Sequence, residues 1–170
     1  APTHSPSLCT VASGTAAIEL SLQALNLSPN SEVLLPSFTF AATATAVLRQ
    51  GLTPVFCAVD PQSWELTPDT ARNALKHCDA KAVLSVAALG RSQAAGAWDD
   101  FIDETGRPVI LDAASAFGRQ QAGKKLVCTF SFHATKALGI GEGGLVLSCN
   151  REFVERVRSL SNFGFVDGQV

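Results

Sequence analysis

Apolar runs of strand length recur along the chain at residues 8–11, 33–35, 54–59, 82–87, 108–111, 127–132 and 145–147. Several are continuous rather than alternating, as expected of strands buried on both faces. Helical patterns lie between them. Residues 15–25 place Ile18, Leu22 and Leu25 on one stripe, and residues 41–50 are rich in alanine. Residues 68–77 open after Thr67, which predicts an N-cap followed by proline in the first turn. Residues 152–160 set Phe153 and Val157 four apart on an apolar side. Strands alternating with helices predict an α/β fold, a three-layer α/β/α sandwich around a mostly parallel, roughly seven-stranded sheet. Ligands of such sheets sit where strand ends lead into helices. Residues 90–96 read as the most loop-like interior segment, too short to divide the 170 residues into two domains.

Composition narrows the classes of partner. Hydrophobic residues make up 46% of the chain and charged residues 16%, with a net charge of −2. That balance predicts a packed domain and gives no electrostatic reason to expect nucleic acid or an anionic membrane as partner. No run approaches the length of a membrane span, and the first seven residues lack the basic start and apolar stretch of a signal peptide. Five cysteines, Cys9, Cys57, Cys78, Cys128 and Cys149, form an odd set without CxxC spacing. Buried, reduced thiols in a soluble cytoplasmic protein are the expectation, with no metal site.

Four segments carry candidate chemistry. Ser13-Gly14-Thr15-Ala16 follows a strand and opens a helix, so its free amides and the helix dipole favour an anion such as phosphate; an ordinary glycine turn starting a helix has the same sequence. Asp112 ends an apolar strand, which fits either a partner for the protonated ring nitrogen of an electron-poor cofactor or a cap on a neighbouring N–H. Lys136 lies in a glycine-flanked loop after Phe130-Ser131-Phe132-His133. Partial burial there would lower its pKa and free its amine as a nucleophile, whereas a solvated lysine has no such role. The Pro36-Ser37-Phe38-Thr39-Phe40 segment also follows a strand, and an aromatic there can stack on a flat ring or enter the core. Asp60, Asp99, Asp100, Glu104 and Glu142 show no paired spacing for acid–base catalysis or a metal.

Taken in order, SGTAAIEL, EVLLPSFTFAATATAV, GLTPVFCAVD, VILDAASAFG, FSFHATKALGIGEGGLV and RVRSLSNFG resemble the DegT/DnrJ/EryC1/StrS family over residues 11–164. These are pyridoxal-phosphate (PLP) dependent sugar aminotransferases of the aspartate aminotransferase fold, fold type I. The resemblance implies that Lys136 carries the cofactor as a Schiff base and later moves a proton to the substrate carbon. It further implies that Asp112 partners the pyridine nitrogen, that Gly14, Thr15 and Ala16 form the phosphate-binding turn, that Ser131 supplements it, and that Phe40 stacks on the ring. Ser115 stands near the cofactor where family members often carry glutamine or histidine. The implied reaction passes an amino group from an amino acid, commonly glutamate, to a keto sugar on a nucleotide.

Family members are roughly twice this length and carry a small C-terminal domain, so the resemblance implies that residues 1–170 are the PLP-binding large domain without it. It also implies a homodimer, whose partner subunit completes the active site. The retained Lys136 favours an aminotransferase over the related sugar dehydratases, which carry histidine there. An alternative is a truncated, non-catalytic homolog acting as a PLP-binding or protein-interaction module. A nucleotide-binding Rossmann domain fits the alternation, but no GxGxxG opens the first strand–helix turn.

Overall fold

The computed structural model describes residues 5–165. The leader-like features sought in the first residues, and the closing residues 166–170, lie wholly or partly outside it. Seven strands, β1 (Ser7–Val11), β2 (Glu32–Pro36), β3 (Thr53–Cys57), β4 (Ala82–Val86), β5 (Val109–Asp112), β6 (Val127–Ser131) and β7 (Gly144–Ser148), form one sheet in the order β1-β7-β6-β5-β4-β2-β3. The pairs β2–β3, β2–β4, β4–β5 and β5–β6 are parallel, while β7 runs antiparallel to both β6 and β1.

Alternate residues of the five inner strands enter opposite cores. Val33, Leu35, Leu84, Ile110, Val127 and Val146 pack with Ile18, Leu22, Ala46, Val47, Val154 and Val157 from α1 (Gly14–Ala24), α2 (Ala41–Arg49) and α5 (Arg151–Ser161). Leu34, Val83, Val109, Leu111, Cys128 and Phe130 face the other side, where α3 (Pro68–Ala74) brings Ala71 and α4 (Ala95–Thr105) brings Trp98 and Phe101. Because both faces are covered, the strand runs are continuous, and the fold is the three-layer sandwich that the pattern predicts. Each large side chain wholly removed from water contributes about 1.5–3 kcal/mol. Trp98 and Phe101 meet edge to face at 5.3 Å between ring centres.

Thr67 caps α3 as expected, in a reciprocal box with Thr70 and with Pro68 in the first turn, but the helix stops at Ala74 rather than at residue 77. On α5 the inward face centres on Val154 and Val157, with Phe153 at its margin. Helix α4 has no counterpart in the sequence reading. Its inward face carries a carboxylate among the apolar residues: Asp99 is buried and accepts the amides of Lys124, Lys125 and Leu126 at 2.6, 2.9 and 3.0 Å. Three donors on one buried carboxylate fix the turn leading into β6. Asp99→Ala is expected to destabilise the chain by about 3 kcal/mol, since it strands three amides. Urea unfolding checks this, and a loss under about 1 kcal/mol would remove the anchoring role.

The cysteine expectation needs one correction. Only Cys9 and Cys128 are buried, whereas Cys57, Cys78 and Cys149 are partly exposed. Cys57 lies on the edge strand β3, covered on one face only. Burial still pushes the Cys57 thiol up to about 11 and Cys128 up to about 12, so both stay protonated near neutral pH. No helix among the described residues is long and apolar enough to cross a membrane. Among the same residues, no three His, Cys, Asp or Glu side chains are grouped as a metal site.

Candidate active site

The carboxyl ends of the parallel strands bring most of the singled-out residues to one edge of the sheet. Asp112, the last residue of β5, is 6% exposed. Its Oδ2 accepts the Thr43 hydroxyl at 2.8 Å, and its Oδ1 accepts the Ala114 amide at 3.1 Å. The capping role is therefore real, and it leaves further lone pairs on each oxygen. Burial pushes the Asp112 carboxyl above its ordinary range, opposed by the Thr43 hydrogen bond, the Ala114 amide and the charge of Lys136. A carboxylate in this state gains from any cationic partner brought to it.

Thr43 and Thr39 escaped the sequence reading. Thr39 donates to Thr43 at 2.7 Å, and Thr43 in turn donates to Asp112. The i, i+4 threonine pair across the start of α2 was the available signal, since that spacing stacks two hydroxyls on one helix face. Between them stands Phe40, the N-cap residue of α2, which is 79% exposed. An aromatic held on the rim beside the Asp112 chain is not core, and its ring face is open to a flat ligand or to another chain.

Lys136 lies in the loop between β6 and β7. It is half-buried, and its Nζ donates to Ser115 Oγ at 3.3 Å. Ser115 thus touches the lysine directly and belongs to the site. Phe117, two residues beyond, packs edge to face against Phe130 and Phe132, which fixes the Ser115 turn against the strand that leads to Lys136.

The Gly14–Ala16 turn begins α1. Ser13 caps it by accepting the Ala16 amide at 3.1 Å, so Ala16 has a partner within the turn, while Gly14 and Thr15 stand in the first turn without intrahelical acceptors. Two glycines allow this turn to press on the sheet. A Cβ on Gly14 would fall 2.7 Å from the Ser131 Cβ, and one on Gly144 would fall 2.2 Å from the Ser13 carbonyl oxygen. Ser131 is buried against Gly14, which places a hydroxyl beside two amides at a helix N-terminus, a donor set suited to a phosphate.

Lysine amine, buried carboxylate, exposed aromatic ring and amide-lined phosphate turn thus share one edge. The set fits a flat, phosphorylated, electron-poor ring bearing a carbonyl. Of two surface concavities, one between α1 and α5 reaches the site only at Ala16, and one lies between α3 and α4. The latter is lined by the surface ion pair Arg72–Glu104, and neither gathers a nucleophile with a perturbed carboxylate.

Comparison with known proteins bears on the fold that carries this donor set. Residues 3–170 match the model of the DegT/DnrJ/EryC1/StrS aminotransferase family. GDP-perosamine synthase of Vibrio cholerae is 32% identical over 165 residues, covering 94% of this chain and 45% of that protein. The dTDP-4-dehydro-2,3,6-trideoxy-D-glucose 4-aminotransferase of Saccharopolyspora spinosa is 37% identical over 157 residues, covering 89% and 40%. Among solved structures, S. venezuelae DesV in complex with a ketimine intermediate superposes with a TM-score of 0.84 at 33% identity, covering 93% of this chain and 44% of that one. The chain therefore spans less than half the length of these relatives, and its sheet is that of the fold type I aminotransferases.

Proposed function

The chain belongs to the DegT/DnrJ/EryC1/StrS aminotransferase family, and from that premise we propose that it is the cofactor-holding large domain of an enzyme that passes an amino group from an amino acid such as glutamate to a keto sugar carried on a nucleotide. The observation that carries this reading is the convergence of Lys136, Asp112 and the Gly14–Ala16 turn on one sheet edge. The cofactor is pyridoxal phosphate, which when bound supplies an aldehyde for amines and a ring that takes up the electrons freed at the substrate carbon. The nucleotide-sugar substrate is supported by the names of the Vibrio and Saccharopolyspora relatives.

In this reading the Gly14 and Thr15 amides and the Ser131 hydroxyl hold the phosphate, Asp112 faces the ring nitrogen, and Phe40 covers a ring face. Thr43 and Ala114 keep the Asp112 carboxyl turned toward its partner. Lys136 Nζ would be the nucleophile that fastens the cofactor and, when free, the base that moves a proton at the substrate carbon. Ser115 Oγ, at 3.3 Å from that nitrogen, orients its lone pair.

A second copy of the chain completes the proposed assembly. Phe38, Phe40, Trp64, Leu89, Leu138 and Ile140 are all exposed, mostly in the loops that follow the parallel strands, and such an apolar rim favours a covering subunit. An odd set of five cysteines without CxxC spacing suits a cytoplasmic setting, where thiols stay reduced.

The test is an absorption spectrum of the chain with added pyridoxal phosphate, before and after borohydride reduction, with mass spectrometry locating the adduct. A visible band trapped on Lys136 is expected, and glutamate should then convert bound cofactor to its amine form with one equivalent of 2-oxoglutarate released. No adduct on Lys136 would overturn the cofactor assignment. An adduct without the glutamate half-reaction would favour a non-catalytic binding module instead.

A further inference from the structure

The loop that carries Lys136 is built as an extension of the β6–β7 hairpin. Beyond the strands, Phe132 donates to the Gly143 carbonyl at 2.9 Å, Ile140 to the Phe132 carbonyl at 3.0 Å, and Ala134 to the Gly141 carbonyl at 2.9 Å. Lys136 lies in the turn at the tip, where its amide donates to the His133 carbonyl at 2.9 Å. Because backbone pairing stops at Ala134, the tip needs another tie to hold one conformation.

His133 supplies it. The Thr135 amide donates to His133 Nδ1 at 3.3 Å, and the Thr135 hydroxyl lies 2.9 Å from the same nitrogen. On the other side of the ring, Nε2 faces Glu142 Oε1 on the returning arm at 3.6 Å. An amide N–H is always a donor, so Nδ1 must present its lone pair and the ring proton must sit on Nε2, toward the Glu142 carboxylate. The His133 amide also donates to Ser131 Oγ at 3.3 Å, which joins this tie to the proposed phosphate turn.

We infer that His133 is a positioning residue for Lys136: as the Nε2–H tautomer it fastens the Thr135–Lys136 turn to the arm bearing Glu142, so that the lysine amine is presented to the cofactor in one place. The inference deepens the proposed function and rests on its assignment of Lys136. It differs from a packing role, because His133 is exposed and the contacts it makes are polar and tautomer-specific.

Imidazole nitrogen spectra of the chain without cofactor, recorded at about pH 8 where histidines are neutral, give the first readout. The His133 signals, identified by their loss in His133→Asn, should show the proton on Nε2. Exchange of the Thr135 amide should speed up about tenfold in His133→Ala, return to within about twofold of the parent in His133→Asn, whose oxygen takes the place of Nδ1, and stay fast in His133→Gln, which mimics Nε2. The rate of borohydride-trapped adduct formation at Lys136 should follow the same order. A proton on Nδ1, or trapping in His133→Ala at the parental rate, overturns the inference while leaving the cofactor assignment standing. If the parent chain traps no adduct yet the tautomer and the exchange order are as expected, the assignment of Lys136 fails and His133 is left as a structural tie only.

Discussion

Lys136→Ala is expected to abolish the borohydride-trapped pyridoxal phosphate adduct altogether while changing stability by no more than about 0.5 kcal/mol. The asymmetry follows from its surroundings. Its side chain donates to Ser115 and is only half-buried, and its neighbours Thr135 and Ala137 are exposed. Truncation therefore removes the amine without opening a cavity. Of the other lysines, Lys76 bonds Asn73, Lys81 bonds Asp79 and Lys125 bonds Asp103 at the surface. Peptide mass mapping of the reduced protein and thermal unfolding of the cofactor-free chain check the two halves. A specific adduct that persists at another position would end the assignment of Lys136.

Asp112→Asn should act in opposite directions on cofactor retention and on the stability of the empty chain. Without the carboxylate, the ring nitrogen loses its charged partner, and retention of pyridoxal phosphate should fall at least about tenfold. The empty chain, however, should become more stable at neutral pH, because the amide carries no charge to desolvate. Burial raises the carboxyl above its unfolded value, so the folded chain binds this proton more tightly than the unfolded one. The contribution of Asp112 to stability is then fully present below the ordinary carboxylate range, and it is lost as pH rises through the raised folded value. The advantage of the amide should accordingly be largest near pH 7 and vanish below about pH 4. Chemical denaturation at the two pH values measures it. Unchanged cofactor retention would leave Asp112 as the cap of Ala114 alone.

The strands were legible because a sheet covered on both faces leaves little room for alternation, and each continuous run marks its strand to within one residue at nearly every end. Strand β3 is the exception, ending at Cys57 rather than at residue 59. It is the edge strand, and beyond Cys57 the chain leaves the sheet for a turn in which Asp60 accepts the Gln62 and Ser63 amides. Helix α4 was lost for a different reason. Gly96 stands in its first turn, no side chain caps it, and its buried Asp99 is satisfied by a turn some 25 residues later, a partner that local periodicity does not reveal.

The residues of the candidate site were legible as an ordered set of motifs, whereas their mutual support was not. Lys136 and Ser115, or Asp112 and Thr43, meet only because β5 and β6 are neighbours and α2 returns across the strand ends. His133 illustrates the limit well. Its residue type and position are plain in the sequence, but its tautomer depends on an amide two residues ahead and a carboxylate on the opposite arm of a hairpin.

The pairing of β1 with β7 brings the two ends of the described chain together, with Val11 opposite Gly144 in register. Closing so long a loop costs entropy that only the finished sheet returns, and non-local pairing of this kind is slow. On a ribosome, the Ser13–Ala16 turn has nothing to lean on until Ser131 and Gly144 have both emerged. The proposed phosphate cradle thus cannot close before β7 is made, and a nascent chain holding its cofactor has already paired β1 with β7.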